Sequence, residues 1–510
     1  MDSSYQIGTG HLVRCLTLAD LLHAKGWESV FFCRNHKGNS SSLIRDHGYQ
    51  VILMDLVQGA WSGGVDHEAW VGDSQCGDAR EVIANVKRLG LSADWLVVDH
   101  YGLDFRWERM LGEIFHNILV VDDLADRPHD CDILLDQNLP IDPVGRYEKL
   151  LPKSTQVLLG PRYALLNPAY ALTRTRIRKQ AGKVKNVLIS LGGTDLGNLT
   201  AAVIDSILAV SDHHGYGCIH LNVVIGPGFS GWAKKRQKYF FYKSITFHEN
   251  VKSLAFLMAD ADLMVGTAGT TTWERMTLNL PSITLVVAKN QRENGQALRH
   301  WNYAKVMECL DGFDVEKFRD LFWSLLSGEE KLAESPPEVD GLGCFRVVDL
   351  MLSVGIRLRK VTSLDADVLY RWSNEPGVRK ASLNPDPIPY KTHLDWLEKK
   401  LASPETCVFL IGEDLSGCPV GTARFDETGD GWNVNYSVDG NFRGRGWGGK
   451  LLRKALDYLK AERNVGLLRA QVKADNLGSR KIIKSLGFVE GAAPGDCLEY
   501  WLETGGKKDV

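Results

Sequence analysis

Asn186-Val187-Leu188-Ile189-Ser190-Leu191-Gly192-Gly193-Thr194-Asp195 is an apolar run that breaks into a glycine turn, and an amphipathic stretch over residues 199–210 follows it. A short apolar run bounded by such a turn and a helix reads as a buried strand of a parallel α/β sheet. Further runs at 221–225, 263–265 and 282–286 repeat the pattern toward the C-terminus. It has also run once before, with apolar segments at 29–33, 50–54, 95–98, 117–121 and 133–135. The restart at Asn186 therefore predicts two successive Rossmann-like domains, residues 1–165 and 166–330, with a cleft between them.

Residues 331–354 carry charges, Ser335-Pro336-Pro337 and glycines, and read as a linker, with helix ends packed on the preceding domain as the alternative. From 355 to 510 the plan changes to an α+β unit. It has strands at 356–360, 408–413, 420–425, 435–438 and 468–472, and helices near 365–372 and 393–401. The whole chain thus reads as α/β followed by α+β. Sixty lysines and arginines nearly balance 63 aspartates and glutamates, so no global basic field is offered to nucleic acid or an anionic membrane. Ten cysteines stand singly, without zinc spacing or a disulfide framework, and no metal is expected. Met1-Asp2-Ser3-Ser4 opens no basic-then-apolar leader, and no apolar run reaches the roughly 18 residues of a membrane span. A cytoplasmic enzyme is the expectation; the oligomeric state is not readable.

Gly8-Thr9-Gly10-His11 precedes a helical stretch over 12–25. Glycines there expose backbone N–H groups at a helix N-terminus, with a histidine in the first turn as candidate base; a cap or packing role is the alternative. Asp99-His100-Tyr101 and Asp122-Asp123 each end an apolar run, where ligands bind in open α/β sheets, although these aspartates equally suit helix capping or pairing with Arg127. In the second domain, Gly192-Gly193 and Gly266-Thr267-Ala268-Gly269-Thr270-Thr271-Thr272 can cradle a diphosphate, and Glu274 one turn further can accept bonds from ribose hydroxyls. Two ordinary glycine turns remain the plainer reading.

Together these blocks, from Gln6 to Ala19 through Val97 to Tyr101, Val121 to Leu139, Leu158 to Tyr170, Ile189 to Asp195, Gly266 to Glu274 and Lys289 to Gln291, resemble the UDP-2,4-diacetamido-2,4,6-trideoxy-β-L-altropyranose hydrolases of pseudaminic acid biosynthesis. The resemblance implies a GT-B scaffold of the MurG type and metal-independent cleavage of the sugar–UDP bond. It implies His11 as the catalytic residue, Tyr101 near the sugar, Glu274 at the uridine, and Asn290 and Gln291 on the cleft wall. Gly8, Gly10, Gly192, Gly193, Gly269, Thr270 and Thr271 would complete the substrate site. One departure is that the family usually has an apolar strand immediately before the Asp2-Ser3-Ser4 segment, where this chain begins with Met1; either that strand is lost to the start assignment or the central sheet of the first domain is incomplete.

The run Arg443-Gly444-Arg445-Gly446-Trp447-Gly448 follows the strand at 435–438 and opens an amphipathic helix, so consecutive N–H groups converge on one anion. With Asp475-Asn476-Leu477-Gly478-Ser479 and Leu486-Gly487-Phe488 it resembles the GCN5-related N-acetyltransferases over residues 355–503. That resemblance implies acetyl-CoA as cosubstrate, bound by Val438, Arg443, Arg445, Gly446, Gly448, Gly449, Asn476 and Ser479. Many members place a tyrosine seven residues after the asparagine as general acid; here that position is Ile483, and Tyr436 is the substitute considered. The joint expectation is N-acetylation of the 4-amino group of a UDP-amino-sugar followed by loss of UDP. A glycosyltransferase with an accessory acetyltransferase, and a binding protein without turnover, are the alternatives.

Overall fold

The computed structural model describes residues 1–510 apart from 5, 6, 58–66, 113, 116, 144, 176–183, 194, 196, 217, 218, 227, 230, 250, 252, 383, 445, 492–496 and 505–510. The chain forms two compact units, Met1–Asp349 and Leu350–Val510.

In the first half of unit one the strands are β1 (Val30–Arg34), β2 (Gln50–Met54), β3 (Leu96–Val98), β4 (Ile118–Val121), β5 (Ile133–Asp136) and β6 (Gln156–Leu159). β1 and β2 pair in parallel as a sheet of their own, and β3-β4-β5-β6 form a second parallel sheet. The expected break in the central sheet thus falls between β1 and β3. Asp2 spans it: its carboxylate accepts the Arg34 N–H at 2.6 Å and lies 3.2 Å from His100 Nε2 beyond the end of β3. Burial opposes ionisation of Asp2, but His100 and His36 hold its carboxyl well below the usual range.

The second half contains β7 (Asn186–Ser190), β8 (His220–Ile225), β9 (Ile245–Glu249), β10 (Leu263–Thr267), β11 (Ser282–Val286) and β12 (Lys305–Glu308), all parallel in the order β12-β11-β10-β7-β8-β9. β10 and β11 are buried along their whole length, as strands covered on both faces must be. In unit one the strands absent from the sequence reading, β6, β9 and β12, are sheet edges. Exposed Gln156, Val157, Thr246, Glu249 and Glu308 interrupt their apolar runs.

The segment expected as a linker is packed within unit one up to Asp349. Ser335 N–H donates to Asn279, Arg346 to the Arg162 carbonyl, and the helix Gly343–Val354 buries Cys344, Val347 and Val348. A β-carbon on Gly343 would lie 2.4 Å from the Ala164 carbonyl oxygen, so the backbones are in direct contact. This is the alternative of helix ends packed on the preceding domain; the charges and Ser-Pro-Pro of 331–340 favoured a linker because the fully buried apolar residues begin only at Val339. A fragment ending at residue 334 should therefore lose about 5 kcal/mol from Val339, Val347 and Val348 alone, comparable with a domain's net stability. Thermal denaturation should show it unfolding well below a fragment ending at 354; equal midpoints would contradict the packing role.

Unit two carries β13 (Ile356–Lys360), β14 (Cys407–Asp414), β15 (Pro419–Thr428), β16 (Gly431–Val438), β17 (Leu467–Lys473), β18 (Val489–Gly491) and β19 (Cys497–Glu503) in the order β13-β14-β15-β16-β17-β19-β18. Neighbours are antiparallel except β16 and β17, which run parallel and pair only at Trp432–Leu468 and Asn433–Arg469. Beyond those pairs the two strands part, leaving the 434–438 edge of β16 outside the ladder on that side. The core lies between the sheet and the helix Trp447–Glu462, through Leu452, Ala455, Leu456 and Leu459.

Candidate functional site

Helix Gly10–Ala24 begins without a side-chain cap at Thr9, which leaves its first-turn N–H groups for a ligand. His11 sits in that turn, buried, with Nδ1 2.5 Å from Asp99 Oδ1. Asp99 follows β3 and is fixed from the other side by Arg14, which donates to both carboxylate oxygens at 2.6 Å. Burial disfavours the Asp99 carboxylate, yet Arg14 and His11 overcome this and hold its carboxyl well below the ordinary range. Asp99 is therefore an acceptor at neutral pH, so Nδ1 of His11 carries a proton, and in the neutral imidazole the lone pair is then on Nε2. Among the described residues no hydrogen bond engages Nε2.

Arg14 continues to Asp123 at 3.2 Å, and the Tyr101 hydroxyl donates to the other oxygen of Asp123 at 2.6 Å. Burial and Asp123 push the Tyr101 phenol well above its usual range, so it stays protonated. Its ring meets His11 edge-on at 4.6 Å, and His67 and Trp70 pack against its other sides at 5.1 and 6.0 Å. The sequence singled out His11 and Tyr101, which lie together here, but not Asp99 as their orienting partner, Arg14, or the aromatic pair His67 and Trp70. A buried arginine one turn after the histidine was the available signal for the ion-pair ring; nothing comparable marked Trp70.

The glycine loops meet this helix start. Gly8 adopts φ +81° and donates to the Ser4 carbonyl. A β-carbon on Gly10 would lie 3.8 Å from Thr270 Oγ1, and one on Gly193 3.4 Å from Thr9 Oγ1. Residues 8–10, Gly192-Gly193 and Gly269-Thr270-Thr271 thus converge from both halves of unit one. Gly192 needs its glycine for φ +88°. Glu274, half-buried in the first turn of helix Thr271–Thr277, is pushed up to about 7 by burial, against the stabilising Tyr170 hydroxyl. Asn290 is exposed, whereas the Gln291 amide oxygen accepts the Val287 N–H at 3.1 Å and so shapes its own loop. Buried Asn294, one turn on, donates to the Ala268 carbonyl and ties that helix to the glycine loop. Across the halves, Arg146 pairs with Glu293.

In unit two, Gly446 in the left-handed region caps helix Trp447–Glu462 without a side-chain cap bond. A β-carbon on Gly448 would lie 2.9 Å from Ile482 Cδ1, whereas Gly449 faces open space. Arg443 departs from its expected role: its guanidinium donates to both oxygens of Glu375 at 2.6 and 2.5 Å, and Nε donates to the Val438 carbonyl. A carboxylate occupies that fork, which leaves the loop and helix N–H groups as the candidate anion donors among the described residues. Arg445 lies outside the described residues. Asn476 Oδ1 accepts the Ser479 N–H, capping helix Leu477–Ser485, and Ser479 Oγ lies 2.7 Å from the Tyr436 hydroxyl. Ile483 is fully buried in the core, which explains why no acid stands there.

Residues 187–317 match the glycosyltransferase family 28 C-terminal domain, and residues 356–489 match the acetyltransferase (GNAT) domain. An uncharacterized protein of Methanocaldococcus jannaschii is 22% identical over 96% of this chain and 95% of its own length. The UDP-2,4-diacetamido-2,4,6-trideoxy-beta-L-altropyranose hydrolase of Campylobacter jejuni is 30% identical over 208 residues, 40% of this chain and 63% of that enzyme, so the match spans less than two thirds of its length. Among solved structures, spermidine N-acetyltransferase from Vibrio cholerae is 17% identical over 30% of this chain and 96% of that one, with a TM-score of 0.27. Among the described residues no helix is long and apolar enough to cross a membrane. The chain joins a glycosyltransferase-28-like, nucleotide-sugar region to a GNAT acetyltransferase domain.

Proposed function

We propose that this chain performs two consecutive steps on a UDP-amino-sugar: acetyl-CoA-dependent N-acetylation of its 4-amino group, then hydrolysis of UDP-2,4-diacetamido-2,4,6-trideoxy-β-L-altropyranose to free sugar and UDP. The carrying observation is the His11–Asp99 pair at an uncapped helix N-terminus where three glycine loops meet. The partial likeness to the Campylobacter hydrolase supports the choice of sugar. Water held by His11 Nε2 attacks the anomeric carbon, the bond to the diphosphate oxygen breaks, and the water's proton passes to Nε2. Asp99 stabilises the resulting imidazolium, and N–H groups at the helix starts stabilise the departing UDP. His67, Trp70 and Tyr101 offer an apolar wall for the deoxy and acetamido groups of the sugar.

In the acetyltransferase half, Gly444 and Gly446 with φ of +75° and +82° and the uncapped helix fit a pyrophosphate, and the open 434–438 edge of β16 fits the pantetheine arm as an added strand. The amine attacks the thioester carbonyl, the carbon–sulfur bond breaks, the leaving thiolate takes a proton from Tyr436, and the proton lost by the nitrogen passes to solvent, which reprotonates the tyrosine. Burial raises that phenol while Ser479 partly offsets the shift, so it is protonated at neutral pH.

The direct test offers the diacetylated UDP-sugar to the full chain and follows phosphorus NMR with and without a chelator. Equimolar UDP and free sugar at a chelator-independent rate are expected; a glycosylated product would instead mark a transferase. Glu274 adds a pH signature. Ribose hydroxyls donate to a carboxylate, so UDP binding favours the ionised form of a group titrating near 7. Calorimetry should show affinity for the UDP-sugar rising roughly tenfold between about pH 6 and pH 8, and Glu274→Gln should flatten the profile. The same shift costs folding stability: the native state keeps a proton that the unfolded chain has lost, so this contribution falls as pH rises from about 4.5 to 7.

A further inference from the structure

Residues 231–244, Gly-Trp-Ala-Lys-Lys-Arg-Gln-Lys-Tyr-Phe-Phe-Tyr-Lys-Ser, hold five cations, five aromatics and no acid in a chain whose overall charge is balanced. None of its residues is among those assigned to either reaction. It is built as a short helix, Trp232–Arg236, then a 3-10 turn, Gln237–Tyr239, then a tight turn closed by Tyr242 N–H on the Tyr239 carbonyl. Trp232 and Tyr239 are buried and anchor it to the core beside Phe247, while the Tyr239 hydroxyl donates to Asp205 and the Ala201 carbonyl. The tip is therefore fixed, and it presents Phe240 and Phe241 81% and 88% exposed, with Tyr242 beside them at 46%. Two adjacent phenylalanines held in water by a rigid turn are costly in a soluble surface and indicate something that covers them.

Charge selects the occupant. Lys238 pairs with Asp205 and Arg236 with Glu249, and Lys235 donates to the Asn198 amide and interacts with Asp195, whereas Lys234 and Lys243 have no ion-pair partner among the described residues. A second copy docking by the same face would bring these cations together, which repulsion opposes. An anionic bilayer surface suits both components, since headgroups attract the lysines and the interfacial zone takes aromatic rings.

We propose that the tip formed by Phe240 and Phe241, with Lys234, Lys235 and Lys243 of the same segment, seats the protein peripherally on an anionic lipid surface. The test is co-sedimentation of the full chain with phosphatidylcholine vesicles and with vesicles containing equal parts phosphatidylglycerol, at low and high salt. Binding is expected only to the anionic vesicles and is expected to weaken as salt rises. Phe240→Ser with Phe241→Ser should reduce it by about tenfold per ring, and charge reversal of the three lysines should remove it. The double serine variant should keep the circular dichroism and melting temperature of the parent, because Phe240 and Phe241 are exposed; the lysine variant is put through the same two measurements, since Lys235 is half-buried and bonded to Asn198. Equal binding to both vesicle types, no binding to either, or undiminished binding by the double serine variant would overturn the proposal. So would sedimentation equilibrium showing that the same two substitutions dissolve a dimer.

Discussion

In His11→Gln protein, UDP release from the diacetylated sugar should fall about 10²- to 10⁴-fold while coenzyme A still forms at the parent rate. Glutamine can orient a water but cannot take its proton at neutral pH. Binding should change little, because the glycine loops and Glu274 are untouched. Given the 4-amino UDP-sugar and acetyl-CoA, the variant should accumulate N-acetylated UDP-sugar, which product quantification by NMR would reveal. UDP release at the parent rate would reduce His11 to a packing role. The alternative bases are poorly placed to replace it: Asp99 is bound by Arg14 and His11, while His100 Nδ1 accepts the Gly102 N–H and Nε2 faces Asp2.

Gly448→Glu should abolish acetyl transfer and leave hydrolysis of an already diacetylated UDP-sugar intact. Even a methyl group at this position would press on Ile482 at 2.9 Å, and the longer side chain must turn toward the anion cradle. There its carboxylate repels the pyrophosphate and covers the N–H groups of the first helical turn. Coenzyme A release and UDP release, assayed separately on folded protein, provide the check. Loss of both in equal measure would contradict two separate sites.

Strands buried on both faces were legible because their side chains must be mostly apolar, as in β10 and β11, where the buried Ser282 and Thr284 hydroxyls bond each other. The edges β6, β9 and β12 were not, since solvent on one side admits Gln156, Glu249 and Glu308. The glycine loops and His11 could be read locally, because a helix start with glycines before it is a chemical statement in a few residues. The Asp99 contact with His11 spans 88 positions and depends on how the first helix lies across β3. Arg443 shows the converse limit. Its motif position indicated a phosphate ligand, but Glu375, 68 residues earlier, takes its guanidinium, and only the folded arrangement reveals that competition. Residues 335–349 failed for compositional reasons, their buried Val339, Cys344, Val347 and Val348 being preceded by prolines and charge.

The central claim, two ordered reactions on one chain, is tested most directly by incubating the parent protein with the 4-amino UDP-sugar, with and without acetyl-CoA, and quantifying coenzyme A, UDP and sugar by NMR. With acetyl-CoA the account predicts equal amounts of coenzyme A, UDP and free diacetamido sugar, and without it the UDP-sugar should persist. Rapid UDP release in the absence of acetyl-CoA, or transfer of the sugar to an acceptor other than water, would contradict it.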